Sequence, residues 1–360
     1  MSRNLKTLVI LSPGFPASES EDTWVVSQQI FVKTVKKKFP GLTVFVLTFF
    51  YPYHASPYKW NDINVIPFDG MKKRKWRRPL LWQEIWNRLN EIRRERDILG
   101  IFSFWCGECA LIGRYFGSRY RIKHFTWICG QDARPGNKWV KLIRPTAANL
   151  VAMSPFLARE FFINHKIKPA HLIHNAIDPG TFPTELPINR DIDILGAGSF
   201  EIPKQYHVFA EIVASLKKSI PAIRCYHSGM GPERDNVQAM IKQLQLEDNF
   251  SLVGVKPHQE VLKLMQRTKV FLHPSLYEGF STVCLEALYA GAHVISFCYP
   301  LEQPVAHWHV VKNKDEMKLT AEKILNDPIA DYTHIKLFTI DKTVDAVMEL
   351  FGISRDDYQS

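Results

Sequence analysis

Two glutamates eight residues apart, Glu278 and Glu286, are of a type and spacing that allow chemistry. Glu278 follows the apolar run Val270-Phe271-Leu272-His273-Pro274 and precedes Gly279, which lets a ligand come close to the backbone. A helix is expected from about Thr282 to a terminating Gly291. Its first amides, around Phe280 to Val283, form an anion site reinforced by the helix dipole, and a diphosphate suits it. Glu278 then stands at the mouth of the loop and Glu286 about one turn inside the helix. Both can face one ligand. Val283, three residues before Glu286, is no capping partner, so a capping-box role is excluded. The neighbours Leu285, Ala287 and Leu288 are apolar, which points to a buried polar role for Glu286.

The elements that must position these residues read as an α/β pattern. Strands are expected at Leu8 to Leu11, Leu42 to Phe50, Ile98 to Trp105, His124 to Ile128 and Leu150 to Met153. Helices are expected between them at Val25 to Lys38, Pro79 to Arg96, Cys109 to Phe116 and Ser154 to Asn164. Such alternation implies a parallel, doubly wound sheet. The proline-rich "PGTFPTELPINR" from Pro179 reads as a linker, after which the pattern restarts at Ile192. The expected division is a first Rossmann-like domain at 1–183, a second at 184–340, and a terminal helix at 341–360 that returns to the first. Ligands favour the cleft between such domains and the carboxyl ends of parallel strands.

Composition narrows the class. The 360 residues carry a net charge of +10 and are 46% apolar, as in a folded globular chain. The positive charge is concentrated in Lys72, Lys73, Arg74, Lys75, Arg77 and Arg78 around Trp76. A helix with Leu81, Ile85, Leu89 and Ile92 at helical spacing follows, with Trp82 and Trp86 beside that face. Basic residues with tryptophans at an amphipathic helix suggest contact with an anionic membrane surface, the other reading being a solvated basic loop leading into an ordinary packed helix. No nucleic-acid module is present. No run is long enough to span a membrane, and the start is too short in apolar residues for a signal peptide and reads as a buried strand. Six irregularly spaced cysteines suit a reducing compartment, and Cys106 and Cys109 read as two buried thiols. Asp191-Ile-Asp193 opens a strand and reads as structural.

The stretch Glu278-Gly279-Phe280 with Glu286-Ala287, Gly291 and Val294-Ile295 resembles the E-x7-E signature of retaining glycosyltransferases of the GT-B fold. It is most similar to glycosyltransferase family 4, the group 1 type, which implies two facing Rossmann-like domains, the first (1–183) binding the acceptor and the second (184–340) the nucleotide-sugar donor. "LGAGSF" with Lys204, "SGMGPE" from Ser228, "LVGVKPHQE" from Leu252, "IHNAIDPGTF" and "GQDA" resemble further elements of that family. The resemblance implies that Glu286 binds the donor ribose. It implies that Glu278, Gly279, Phe280, Ser281 and Thr282 hold the transferred sugar and diphosphate. Gly198, Ser199, Gly229, Gly231 and Val255 complete the donor site, and Lys204 neutralises the leaving group.

Two positions depart from the family pattern. Ser199 stands where the family's basic pair has arginine. Cys129 stands where many members have histidine, leaving Asp132, with His124, to compensate in catalysis. The expected activity is metal-independent transfer, without a cofactor, from a UDP- or GDP-sugar to a carbohydrate or lipid-linked acceptor. The expected setting is cytoplasmic, peripheral at the inner membrane face, in bacterial cell-surface polysaccharide or glycolipid synthesis. The alternative is a non-catalytic protein that binds sugar nucleotides; a dinucleotide dehydrogenase and a glycoside hydrolase fit less well.

Overall fold

The computed structural model describes residues 6–23, 25–71, 78–184 and 189–353. The chain divides into two compact units, 1–175 with 340–360, and 176–339. In the first, eight strands form one sheet: β1 (Lys6–Gly14), β2 (Thr43–Tyr51), β3 (Tyr58–Trp60), β4 (Ile63–Pro67), β5 (Asp97–Phe104), β6 (His124–Ile128), β7 (Leu150–Ala152) and β8 (His171–Leu172). Their order is β3-β4-β2-β1-β5-β6-β7-β8, and all pairs are parallel except β3 with β4. Leu8 to Leu11 are fully buried at its centre, as expected of a strand covered on both faces.

Five helices pack on this sheet: α1 (Val26–Lys38), α2 (Arg78–Glu95), α3 (Glu108–Tyr120), α4 (Lys138–Ile143) and α5 (Pro155–His165). The buried residues of α2 are Leu81, Ile85, Leu89 and Ile92, the four at helical spacing. Trp82 and Trp86 are committed to the same unit. Trp82 Nε1 donates to Glu108 Oε2 (2.7 Å), and Trp86 packs edge-on against Phe116. Arg78 is likewise engaged, 3.4 Å from Glu108 Oε1 and over the Phe50 ring. These three side chains take part in packing the first unit, as the packed-helix reading of this stretch expects. Lys72 to Arg77 lie outside the described residues.

The second unit repeats the plan with β9 (Ile192–Ala197), β10 (Cys225–Ser228), β11 (Phe250–Gly254), β12 (Thr268–His273), β13 (His293–Ser296) and β14 (Trp308–Val310). The order is β11-β10-β9-β12-β13-β14, all parallel. Its helices are α6 (Tyr206–Lys217), α7 (Arg234–Gln243), α8 (His258–Gln266), α9 (Thr282–Tyr289) and α10 (Lys314–Leu325). Asp191 and Asp193 pair with Arg267 and Lys269 at the start of β9, a structural role.

The terminal helix α11 (Ile340–Leu350) belongs to the first unit. Val344, Val347 and Met348 are fully buried, and Lys38 bonds Asp345 (2.6 Å). Phe351 fits over Gly100, where any Cβ would meet its ring at 2.2 Å. The other boundary falls at 175/176, not at 183/184. Phe182 packs on Tyr289, Gln266 donates to the Pro183 carbonyl, and Ile177 bridges Thr339, so 176–183 is fastened to the second unit.

Candidate active site

In the second unit, β9 sends its chain to one side of the sheet through β10 and β11, and β12 to β14 lie on the other. The loops after β9 and β12 therefore part at their carboxyl ends, where parallel sheets bind ligands. The loop ends after β9, β10 and β11 are laced together. Gly198 N donates to Ser228 O (3.0 Å), Phe200 N to Met230 O (3.0 Å) and Gly229 N to Gly254 O (2.9 Å). The approach is so close that a Cβ on Gly229 would lie 1.9 Å from Gly198 O. With φ at +153°, only glycine suits that position. Gly231, at φ +157°, meets Phe200 backbone in the same way. Phe200 and Tyr206 close over His227, whose imidazole is held neutral by burial, with a pKa of about 3.

Lys204 ends a short turn after β9. Pro203 O accepts from Leu276 N (2.9 Å) and Ser275 Oγ (3.3 Å), which ties this turn to the loop after β12. The Lys204 ammonium is thereby placed on the Glu278 carboxylate, to which it donates a short hydrogen bond. His273, buried at the end of β12, reaches the same oxygen from below (Nε2 to Oε1, 3.0 Å). Burial disfavours the charge on Glu278. The hydrogen bond and charge of His273, with Lys204, outweigh it and hold the carboxyl down at about 2. Glu278 is an anion at neutral pH and cannot act there as a general acid.

Beyond Glu278, Phe280 turns its ring onto Phe338, so its backbone is what faces the loop. Ser281 precedes α9 without capping it; its hydroxyl meets Cys284 Sγ at 3.1 Å. The first turn of α9 therefore has no side-chain cap from Ser281, and its amides supply the partial positive charge of a helix start. Glu286 is buried, and its Oε1 accepts from His258 Nε2 (2.7 Å) at the start of α8. Ser199 is exposed on the loop after β9, and Val255 is exposed after β11. Ile202, Met230 and Leu276 add exposed apolar side chains on the same set of loops.

The structure thus brings Lys204 and Glu278 together and seats Glu286 on the next helix. It adds two residues to which sequence reading gave no individual role, His273 and His258, both within the stretch from Leu252 to Ser275 that resembles the family's nucleotide-base segment. His273 was visible as a polar residue closing an apolar strand just before the glutamate. His258 was visible only as a histidine at a helix start, with nothing to link it to Glu286 28 residues on. Among the described residues, no group of three or more His, Cys, Asp or Glu side chains could hold a metal ion. No helix there is long and apolar enough to cross a membrane.

Asp132 lies in the first unit, in the loop after β6. It is buried, and its two oxygens accept from the amides of Cys106 (2.8 Å), Gly130 (2.7 Å) and Cys129 (3.1 Å). Burial raises its pKa, with the amides pulling the other way. Cys129 donates its thiol to Trp127 O (3.3 Å), and burial pushes that thiol up. His124 is buried beneath α3 against Ser103 Oγ (2.9 Å), with its pKa lowered to about 3 by burial and by Arg114. It supports the sheet and does not compensate for Cys129. Cys106 and Cys109 are buried free thiols, and all six cysteines are free.

Residues 181–335 match the family described as glycosyl transferases group 1. The gpi3 subunit of phosphatidylinositol N-acetylglucosaminyltransferase from Schizosaccharomyces pombe is 25% identical over 203 residues, 55% of this chain and 44% of that protein. The putative colanic acid biosynthesis glycosyltransferase WcaL of Escherichia coli is 32% identical over 111 residues, 29% of this chain and 27% of that one. The chain spans less than half the length of both. Among solved structures, Anabaena HepE in complex with UDP-glucose superposes with a TM-score of 0.68 at 13% identity, over 95% of this chain and 99% of that one. At that identity the likeness establishes a shared fold.

Proposed function

We propose that this chain, whose residues 181–335 belong to the glycosyl transferases group 1 family and whose two parallel-sheet units have the GT-B fold, moves a sugar from a nucleotide donor to an acceptor with retention of configuration. The observation that carries this reading is the Lys204–Glu278–His273 cluster at the carboxyl ends of β9 and β12, with Glu286 buried on the helix that follows. Lys204 and the start of α9 are arranged to take the negative charge that develops on a diphosphate leaving group, which makes a metal unnecessary. Glu278, fixed as an anion, faces a sugar whose anomeric carbon gains positive charge. Glu286 suits a pair of ribose hydroxyls, and the exposed apolar side chains of Met230 and Val255 suit a base. A UDP- or GDP-sugar is the donor. UDP-glucose in the HepE complex supports the nucleotide class.

The acceptor is a carbohydrate or a lipid-linked one, in surface polysaccharide or glycolipid synthesis at the cytoplasmic face of a bacterial membrane. The names of the gpi3 and WcaL relatives, one a phosphatidylinositol and one a colanic acid enzyme, support that class. Lys72, Lys73, Arg74, Lys75, Trp76, Arg77 and Arg78 provide the membrane contact. Changing the first four to glutamine should weaken binding to anionic vesicles, most clearly at low salt, and leave donor binding intact. Equal vesicle binding would remove the membrane from the reading.

The deciding experiment is consumption of UDP- and GDP-sugars with a lipid extract in excess EDTA. Release of the nucleoside diphosphate should survive the chelator; complete loss restored by Mg²⁺ would count against metal independence. Ser199 and Cys129 favour a second reading, a protein that binds sugar nucleotides without turnover. Donor binding with no consumption would select it.

A further inference from the structure

The chain leaves the second unit through residues 331–338, which have no regular secondary structure and follow α9 from its end back to its start. We propose that this segment is a strap that fixes the loop from Glu278 to Ser281, and that Phe338 is a positioning residue for sugar transfer, acting through Phe280. The role in turnover rests on the transferase reading; the control of the loop rests on the packing alone.

The strap is tied down where α9 ends. Arg190, just before β9, donates through Nη2 to Ala290 O (2.7 Å) and lies over the Tyr332 ring at 4.7 Å. Gly291 closes the helix at φ +87°, and a Cβ there would stand 2.3 Å from Tyr332 O, so only glycine lets the strap come this close. His293 of β13 meets the Tyr332 ring edge-on at 5.5 Å, and Asp331 Oδ2 lies 3.4 Å from His307 Nε2. Further along, His334 packs on Tyr289 (5.7 Å) and Ile335 N donates to Leu288 O (3.1 Å). Arg190 and Ile335 thus serve carbonyls that a helix end leaves open.

The other end of the strap reaches the site. Phe338 sets its ring 5.9 Å from that of the buried Phe280, at 59°, within the range in which aromatic pairs attract. Phe338 O accepts from Ile177 N (3.3 Å), and Thr339 bridges Ile177, which anchors this end of the strap to segment 176–183. The loop is therefore gripped on both sides of Gly279. Residue 278 is held by Lys204 and His273, and residue 280 by Phe338. Glycine has the most backbone freedom to lose, and fixing both its neighbours removes it. The amides from Gly279 to the start of α9 are then set before a ligand arrives, which is the preorganisation that stabilising a developing charge requires.

The test compares wild type with Phe338→Leu, Phe280→Leu, the double variant and Phe338→Tyr. Amide hydrogen exchange in peptides spanning 279–284 reads the loop without any ligand. It should speed up about two- to tenfold in each leucine variant, the worth of one aromatic pair, while exchange in β9 and β10 stays as in wild type. Consumption of UDP- or GDP-sugar with a lipid extract should fall by a similar factor, in kcat more than in KM. The double variant should be no worse than the worse single one, because both remove the same contact. Phe338→Tyr keeps the ring and should restore both readouts. Unchanged exchange at 279–284 in Phe338→Leu overturns the assignment. So do losses that add in the double variant, and so does faster exchange throughout the second unit, which would make Phe338 a general packing residue. If wild type consumes no sugar nucleotide while exchange behaves as described, the transferase reading fails and the strap's control of the loop stands.

Discussion

Each unit holds a carboxylate in a loop at the carboxyl end of its sheet, Asp132 buried and Glu278 half-buried, and the two are satisfied differently. Asp132 is held by three main-chain amides, which cannot leave without unfolding the loop. Glu278 is held by two side chains, Lys204 and His273, on neighbouring loops. Side chains can turn toward an incoming phosphate; amides already fixed in a turn cannot. Both look alike in sequence as acidic residues in glycine-bearing loops, and the difference in their partners predicts an architectural role for Asp132 and a chemical one for Glu278. It also places their weaknesses apart. Removing Asp132 should damage the fold first, and removing Glu278 should damage turnover first.

The largest effect is therefore expected at Asp132. Asp132→Ala leaves three buried amides without their acceptor, each costing about 1–3 kcal/mol. The melting temperature should fall on the order of 10 °C, with Asp132→Asn, which keeps one acceptor oxygen, in between. A variant that melts like wild type yet fails to turn over donor would show that Asp132 handles substrate, and the distinction between the two carboxylates would collapse.

Glu278→Gln should act in the opposite sense. Turnover should drop about ten- to a hundredfold, mainly in kcat, because the lost charge matters most as the anomeric carbon becomes positive. A pH signature accompanies it. The folded carboxyl titrates at about 2, below its ordinary range. Its contribution is therefore fully present above the unfolded value and is lost as pH falls from about 4.5 towards 2. Wild type should lose on the order of 2 kcal/mol more than Glu278→Gln across that window, read by denaturant unfolding. Parallel loss in the two proteins would remove the ion pair from the account.

Much of this arrangement was legible in the sequence. Buried parallel strands read as apolar runs, so β1, β2, β5 and β6 were found, and α2 buries the four residues its spacing named. The hairpin of β3 and β4 was missed, although Asn61 and Asp62, both left-handed, form its turn. Helix α10 and strand β14 carry no chemistry that would have drawn attention. At the site, Glu278, Lys204 and Glu286 were legible because motif spacing survives in one dimension. His273 and His258 were not, because their meaning lies in a partner across a loop. The contacts of Trp82 and Arg78 with Glu108, 26 and 30 residues away, were illegible for the same reason.

The smallest effect, and the one that most sharpens the comparison, concerns a third carboxylate. Glu286 is buried like Asp132, and its Oε1 accepts from one histidine, His258. If it holds ribose hydroxyls, it binds ground state and transition state alike, so Glu286→Gln should raise the donor KM with little change in kcat. Titration with free nucleoside diphosphate isolates this contribution, since that ligand lacks the sugar. Affinity should fall about tenfold for Glu286→Gln, the worth of one charge-assisted hydrogen bond, and hardly move for Glu278→Gln. His258 acts through Glu286, orienting it. His258→Ala should therefore cost part of the same affinity, His258→Gln should recover some of it by offering another donor, and neither should add to Glu286→Gln when combined. Full additivity in that cycle would mean that His258 meets the nucleotide itself. The reverse ranking, with Glu278→Gln losing the diphosphate and Glu286→Gln keeping it, would exchange the roles of the two glutamates.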